Sequence, residues 1–408
     1  MSNKKITIGI YSLFAQNVFV KTTNKLGGAE KQAGACAKFL ADAGYNIAFM
    51  FADPGRHKRK KTLYPRITAY YHPKYALNGV AVRKKIFKSG LFNKIIDKVR
   101  NLTGKEPLQV PEINKGKALK PFKEVAAKLW AGWTLIDPML ELAKACNEKS
   151  IPFLLALASD ADLDFLDFPY GRDQFGSCRE KKQVTMAMCT AVVVQNKWQE
   201  TMMRKHLPQK LIFYLPNPIS LQPIGNLALK EKNGLLWIGK FDNNKNATAF
   251  LQLALLLPAV PMLMIANPSD INIENEVRTN CPTNLKIISS VPYEEIGSYF
   301  DTAAIHISTS YLEGFPNTFL EAAAHLTPTF SLHVDPDELM SKGILGYCFS
   351  GNLDKMADAI KEGLSNPGQL LEMGKRARTY VEKVHDSEVV SREWLHIVEQ
   401  VLELQCAE

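Results

Sequence analysis

Short apolar runs alternate with longer amphipathic segments along most of the chain, which is the pattern of strands and helices in α/β domains. In the first half, strands are predicted over residues 6–14, 46–51, 129–136, 153–158, 191–195 and 211–215, and helices over 29–43, 138–148, 183–188 and 198–206. A second series follows, with strands over 235–239, 262–265, 285–288, 304–308 and 329–332, and helices from 247, over 293–300, over 318–325 and from 353 onward. Two such series predict two doubly wound domains facing each other across a cleft.

The domain boundaries follow from where the two series meet. A single core rarely serves 408 residues, so two domains are expected. We assign residues 1–217 to the N-terminal domain and 218–385 to the second domain. Residues 386–408 are expected to form a helix that packs back on the N-terminal domain.

Composition places the chain among globular proteins of a reducing compartment. Hydrophobic residues make up 46% and charged residues 22%. The seven cysteines show no C-x-x-C spacing, and the N-terminus does not have the pattern of a secretory signal. Residues 247–266 are apolar enough to raise the question of a membrane span, but Pro258 and Pro261 interrupt them. We therefore expect a cytoplasmic protein.

The net charge of +9 is concentrated in one segment. Residues 55–124, interpreted as an insert in the N-terminal domain, carry a net charge of +15, and the rest of the chain carries −6. Within this segment a basic amphipathic helix is predicted, with charged and apolar positions at helical spacing that include Lys84, Lys85, Lys88, Leu91 and Phe92. It is either a solvated surface helix or an attachment site for an anionic membrane, peripheral on its inner face. Nucleic acid is not expected, because no recognition motif accompanies the charge.

Three loops between a strand and a helix carry candidate chemistry. In the first, Gly27 and Gly28 let the backbone approach an anion at a helix N-terminus. In the second, Lys240 and Lys245 lie five residues apart and can converge on a diphosphate. The third loop ends in a helix predicted to have Asn317 as its N-cap. It contains carboxylates that suit sugar hydroxyls and N–H groups that suit a phosphate: Glu313, Gly314, Phe315, Asn317, Thr318 and Glu321.

Together these loops resemble the signature set of retaining glycosyltransferases of family 4, which have the GT-B fold. The resemblance rests on Gly-Gly-Ala-Glu after the first strand, Gly-Lys with a second lysine five residues later, and Glu-x7-Glu from Glu313 to Glu321. Their order and their strand-loop-helix settings also match. The Glu-x7-Glu segment is the most specific part.

The resemblance implies a role for each of these residues. Lys240 and Lys245 would neutralise the donor diphosphate and Glu313 would contact the transferred sugar. Glu321 would accept from the ribose, while Gly28 would present its backbone to the diphosphate. The remaining loop residues would hold sugar and phosphate through N–H groups: Gly314, Phe315, Asn317 and Thr318. Neither a cofactor nor a bound metal is expected.

The resemblance also implies a class of acceptor, and this sequence departs from the family pattern at two places. The expected reaction moves a sugar from a nucleotide sugar to a hydroxyl of a glycan or lipid-linked acceptor, with retention. Lys240 stands where the family usually has arginine, and Asp160 or Asp162 stands near the place of a usual histidine, as a residue for sugar binding or as a loop cap. A non-catalytic scaffold that binds sugar nucleotides or glycans is the alternative function.

Overall fold

The computed structural model describes residues 6–13, 15–19, 28–52, 60–72, 120–173, 176–223, 232–289 and 291–407. Most of the basic segment, including Lys84, Lys85, Lys88, Leu91 and Phe92, lies outside these ranges. The predicted membrane-binding helix is therefore outside the described residues.

Strands and helices alternate through the N-terminal domain. In chain order they are β1 (Thr7–Tyr11), α1 (Gln16–Phe19), α2 (Gly28–Asp42), β2 (Asn46–Ala52), β3 (Lys60–Tyr64), β4 (Ile67–His72), α3 (Lys120–Glu124), β5 (Leu129–Trp133), α4 (Met139–Glu148), β6 (Phe153–Ala156), a 3₁₀ helix (Asp160–Leu166), α5 (Arg179–Met188), β7 (Ala191–Val194), α6 (Lys197–His206) and β8 (Leu211–Tyr214). Strands β5, β6 and β7 are buried along their whole length, as expected for a parallel sheet covered on both faces.

The described strands of this domain form one eight-stranded sheet in the order β3-β4-β2-β1-β5-β6-β7-β8. Strands β3 and β4 belong to the basic segment, and β4 pairs in parallel with β2. The interpretation of 55–124 as one insert is therefore wrong for residues 60–72. Ile67 and Ala69 alternate with more exposed positions and are fully buried, which accounts for their place in the sheet.

The second domain repeats the design. Its elements are β9 (Leu235–Lys240), α7 (Ala247–Leu256), β10 (Met262–Asn267), α8 (Ile271–Thr279), β11 (Leu285–Ser289), a 3₁₀ helix (Tyr293–Glu295), α9 (Ile296–Thr302), β12 (Ile305–Ser308), α10 (Asn317–Ala324), β13 (Thr329–Ser331), a 3₁₀ helix (Pro336–Glu338), β14 (Gly346–Cys348), α11 (Leu353–Ser365), α12 (Pro367–Val384) and, beyond the domain, α13 (Ser387–Ala407). The described strands are all parallel, in the order β11-β10-β9-β12-β13-β14. In both sheets the strand order reverses beside the first strand, which is where such folds bind ligands.

The apolar stretch 247–266 is divided between α7 and β10. No helix in the described part of the chain is both long enough and apolar enough to span a bilayer.

Helix α13 packs on the N-terminal sheet although it follows the second domain. Trp394, Ile397, Val398 and Val401 are buried in the same cluster as Ile8, Phe49 and Leu129. The ring centroids of Trp394 and Trp133 lie 5.4 Å apart. One face of the N-terminal sheet, over β1 and β5, is therefore covered partly by α13, which comes from the other end of the sequence.

The chain crosses between the domains twice, and the two crossings lie side by side. Ile219 donates its N–H to the carbonyl of His385 at 2.8 Å and accepts from the N–H of Ser387 at 3.0 Å. These bonds form a short parallel bridge between Ile219 and Asp386. The two segments that connect the domains are thus joined to each other by backbone hydrogen bonds.

Candidate active-site cleft

The cleft lies between the carboxyl ends of the two sheets and holds about 1120 Å³, counting the part open to solvent. Both domains line it. The predicted residues that line it are Gly28, Lys240, Lys245, Glu313, Gly314, Phe315, Asn317, Thr318 and Glu321. Three loops far apart in sequence are therefore brought to one site.

The two lysines occupy the loop after β9. Lys240 ends the strand and is exposed toward the cleft. Asp242 accepts the N–H of Lys245 at 2.8 Å, and Asn246 has a left-handed backbone (φ 50°) just before α7. The Nζ atom of Lys245 forms an ion pair with Oε1 of Glu313. The loop thus holds Lys245 against the sugar-contacting carboxylate that the motif predicts.

The glutamate loop is braced against the lysine loop. Asn244 donates its Nδ2 to the carbonyl of Leu312 at 2.8 Å and accepts the N–H of Leu312 at 3.0 Å. The N–H of Tyr311 is bonded to the carbonyl of Asn244 at 2.9 Å. These three bonds keep Glu313 and Lys245 at a fixed separation, as a preorganised site requires.

Helix α10 points its N-terminus at the cleft. The helix begins at Asn317, and its N-cap is Pro316, which makes no side-chain cap. The prediction that Asn317 is the N-cap is therefore wrong by one position. The side chain of Pro316 has no acceptor for the N–H groups of Asn317 and Thr318, and both of these residues line the cleft. The positive end of the helix dipole is thus available to an anion.

Glu321 is held by a residue of the opposite domain. Lys31, in the first turns of α2, places its Nζ 2.9 Å from Oε1 of Glu321 and 3.6 Å from the ring centre of Tyr293. Burial raises the pKa of Tyr293, and the hydrogen-bonded Glu321 raises it further. Neither Lys31 nor Tyr293 belongs to a motif that can be recognised in the sequence. Only the fold brings this lysine to the Glu-x7-Glu motif.

Gly28 is in close contact with α10 across the cleft. A Cβ atom on Gly28 would lie 2.2 Å from Nδ2 of Asn317. Any larger residue would therefore have to displace the Asn317 side chain at this point.

Asp160 and Asp162 do not line the cleft, contrary to the prediction of sugar binding. Asp162 is buried and acts as a loop cap: one carboxylate oxygen accepts from Leu135 N at 3.0 Å and the other from Ala158 N at 2.8 Å. Asp160 Oδ1 accepts from Nδ2 of Asn196 and Nε2 of Gln199, both at 2.9 Å. Both oxygens of Asp162 and Oδ1 of Asp160 are therefore directed to protein donors.

The carboxylate of Asp160 is half-buried, and no cation is among the groups that shift its pKa. Burial raises the pKa of Asp160 to about 6, and the charges of Asp162 and Asp337 add to the increase. A raised carboxyl pKa means that the folded state favours the protonated form. Its contribution to the free energy of unfolding therefore falls as the pH rises from about 4 to about 6.

We expect Asp160→Asn to stabilise the protein by about 1 to 3 kcal/mol near pH 8, because asparagine removes the buried charge and keeps an oxygen acceptor. The gain should shrink toward pH 4. Urea unfolding at several pH values measures it, with Asp358→Asn as the control because that side chain is 77% exposed. An effect of Asp160→Asn that does not vary with pH would contradict this explanation.

Comparison with known proteins agrees with this geometry. The overall fold is shared with sucrose-phosphate synthase from Thermosynechococcus elongatus, at a TM-score of 0.71 and 14% identity, covering 98% of this chain and 100% of that one. It is shared with WaaG, a glycosyltransferase involved in lipopolysaccharide biosynthesis, at a TM-score of 0.61 and 12% identity over 95% and 98% of the two chains. The chain therefore has the GT-B fold.

Sequence comparison adds a class to the fold. Residues 232–366 match the family model of glycosyl transferases group 1. An alpha-galactosylglucosyldiacylglycerol synthase of Streptococcus pneumoniae (strain ATCC BAA-255 / R6) is 23% identical over 228 residues, covering 51% of this chain and 60% of that protein. The match thus spans less than two thirds of that relative. Together these findings show the GT-B fold and a similarity to glycosyl transferases over residues 232–366.

Proposed function

We propose that the protein is a retaining glycosyltransferase of family 4 that moves a sugar from a nucleotide sugar to an acceptor hydroxyl. The observation that carries the proposal is the meeting of Lys240, Lys245 and Glu313 with the N-terminus of α10 in one cleft. A nucleoside diphosphate leaving group develops negative charge as its bond to the sugar breaks. Fixed cations and helix N–H groups stabilise that charge without reorganisation.

Each of these residues is assigned to a different part of the donor. Lys240 and Lys245 neutralise the diphosphate, and the N–H groups at Asn317 and Thr318 supply hydrogen bonds to it. Glu313, paired with Lys245, contacts the transferred sugar, while Glu321 accepts from the ribose. We propose that no bound metal or other cofactor is needed, because these groups supply the positive charge.

The comparisons also support the class of acceptor that we propose. The S. pneumoniae relative is named as a glycolipid synthase, and WaaG is described as acting in lipopolysaccharide biosynthesis. A TarM mutant from S. aureus, in complex with fondaparinux, alpha-GlcNAc-glycerol and UDP, has the same fold at a TM-score of 0.67 and 13% identity, over 96% and 99% of the two chains. A glycan or lipid-linked acceptor therefore suits this chain.

A thermal-shift panel of UDP-, GDP- and ADP-sugars tests donor binding. A donor at 100 times its dissociation constant should stabilise the fold by about 2.7 kcal/mol. Donor hydrolysis and transfer assays then separate the enzyme from a non-catalytic sugar-nucleotide scaffold, which would bind without turnover. The anomeric configuration of the product, read by NMR, tests retention. The proposal fails if no sugar nucleotide in the panel shifts the melting temperature.

We propose that the protein works in the cytoplasm, peripheral on the inner face of the membrane. The basic segment 55–124 would concentrate it at anionic lipid, with Leu91 and Phe92 on the apolar stripe. Co-sedimentation with liposomes is expected to increase with anionic lipid content and to decrease with salt. Changing Lys84, Lys85 and Lys88 together to glutamate should abolish it. Failure of the wild type to bind anionic liposomes at low salt would leave the segment as a solvated surface.

A further inference from the structure

Two consecutive carbonyls of the glutamate loop are held by the opposite domain. The carbonyl of Gly314 accepts from Nδ2 of Asn196 at 3.1 Å, and that of Phe315 accepts from Nδ2 of Asn217 at 2.9 Å. Both asparagines are buried, with exposed fractions of 2% and 3%. A trans peptide directs its C=O and N–H to opposite sides, so the N–H of Phe315 is turned away from Asn196.

The side chain of Asn196 is oriented by its partners. Its Oδ1 accepts from the N–H of Gln199 at 2.7 Å, which caps α6. Its two amide hydrogens go to Asp160 Oδ1 at 2.9 Å and to the carbonyl of Gly314. Turning the amide over would face its oxygen toward two acceptors. The Asp160 carboxylate therefore keeps the Asn196 donor directed at the loop.

The glutamate loop packs closely against the N-terminal domain beside α6. A Cβ atom on Gly314 would lie 2.2 Å from Nε2 of the buried Gln195, so any larger residue would have to displace that side chain. Asp337, from the second domain, accepts the N–H of Lys197 at 2.8 Å and the hydroxyl of Tyr214 at 3.3 Å. Several bonds thus join the N-terminus of α6 to the second domain.

We propose that Asn196 and Asn217 are positioning residues for the donor loop, and that Asp160 acts through Asn196. By holding the two carbonyls they fix the peptide planes next to Glu313, so that the Phe315 N–H is presented to the donor. This inference rests on the proposed function and replaces direct sugar contact by Asp160. On this proposal the donor site is complete only when the N-terminal domain holds the glutamate loop of the second domain.

An exchange of side chains isolates the bond between the domains. In the double variant Asp160→Asn with Asn196→Asp, the new asparagine still donates to the new aspartate, and the aspartate still caps α6. Asn196 and Gln199 both donate to Oδ1 of Asp160, so the amide nitrogen that now donates to position 196 no longer accepts from Gln199. The bond to the carbonyl of Gly314 is also lost, because an aspartate oxygen has no hydrogen to donate. Gln199→Ala removes side-chain bonds within the N-terminal domain alone and is therefore the control for release of the loop.

We expect the double variant to lose about tenfold to a hundredfold in kcat for donor hydrolysis relative to Gln199→Ala, since small displacements at a reacting centre are costly. UDP-glucose, UDP-galactose and GDP-mannose are the probes. The dissociation constant of UDP or GDP should stay within a few-fold, because Lys240, Lys245 and Glu321 are unchanged. Asn217→Ala should likewise lower kcat and leave the dissociation constant of UDP or GDP within a few-fold of the wild-type value.

A second measurement does not depend on turnover. Hydrogen exchange of the amides over residues 313–318 should be faster in the double variant than in the wild type, and unchanged elsewhere in the second domain. Wild-type kcat and wild-type exchange in the double variant would overturn the inference. If the wild type turns over none of the three probes, the proposed function is contradicted for those donors, and the exchange measurement alone decides whether the loop is held by the asparagines.

Discussion

Replacing Lys245 with alanine is expected to lower donor turnover by a factor on the order of 100 or more, since one fixed donor to a charge that develops in the transition state contributes on that scale. Lys245 is the cleft lysine paired with Glu313, and the braced loop keeps it there. Its loss removes the cation that would meet the diphosphate. It also leaves the Glu313 carboxylate to repel the same group. Initial rates at subsaturating donor measure the effect.

Lys286→Ala is the matched control for this substitution. Lys286 lies in β11 of the same domain, is exposed and is not among the residues that line the cleft. Its removal should leave both turnover and melting temperature unchanged. Should Lys245→Ala also turn over donor at the wild-type rate, Lys245 has no part in the reaction.

The two glutamates of the motif are expected to respond differently to neutral replacement. Glu313→Gln should reduce kcat strongly, because Glu313 would lie beside the reacting sugar and pairs with Lys245. Glu321→Gln should act mainly through the donor KM, because the ribose is remote from the bond that breaks. Full Michaelis–Menten curves in donor separate the two effects.

The contact of Glu321 with Lys31 adds a second expected effect of Glu321→Gln. Glutamine keeps an oxygen for the ribose but weakens the 2.9 Å ion pair to the opposite domain. The exposed Glu276 of α8 provides a control that changes the same functional group away from the cleft. The same kinetic pattern for Glu313→Gln and Glu321→Gln would show that the proposed division of roles is wrong.

Most of the fold could be predicted from the sequence because its central strands are continuous apolar runs. Ala191–Val194, for example, reads as a buried strand without any other information. Strands β3 and β4 were missed because they lie in the strongly basic segment: β3 begins with Lys60 and Lys61, and the alternation in Ile67–His72 is short. Helix α8 and the three-residue β14 were also missed. The first contains several polar residues, and the second is too short to show a period.

The candidate site was only half predictable. The loops with Lys245 and Glu313 carry local motifs, and the fold brings them together in the cleft. Lys31 looks like any solvated lysine in the first turns of a helix, and Asn196 looks like an ordinary N-cap. Lys31 binds Glu321, which lies 290 residues away in the sequence, and Asn196 binds the carbonyl of Gly314, which lies 118 residues away. No local pattern carries such information, since it depends on how the two domains meet.

Helix α13 has a consequence for how the protein is made. The N-terminal sheet is synthesised up to β8, yet Trp394, which helps to cover its apolar face, follows about 180 residues later. At ribosomal speeds of about 5–20 residues per second, that face waits roughly 10 to 40 s for its cover. During this interval the nascent first domain exposes apolar surface to chaperones and to neighbouring chains. A fragment that ends near the domain boundary lacks α13, so we expect it to expose this apolar face and to be less soluble than the full chain.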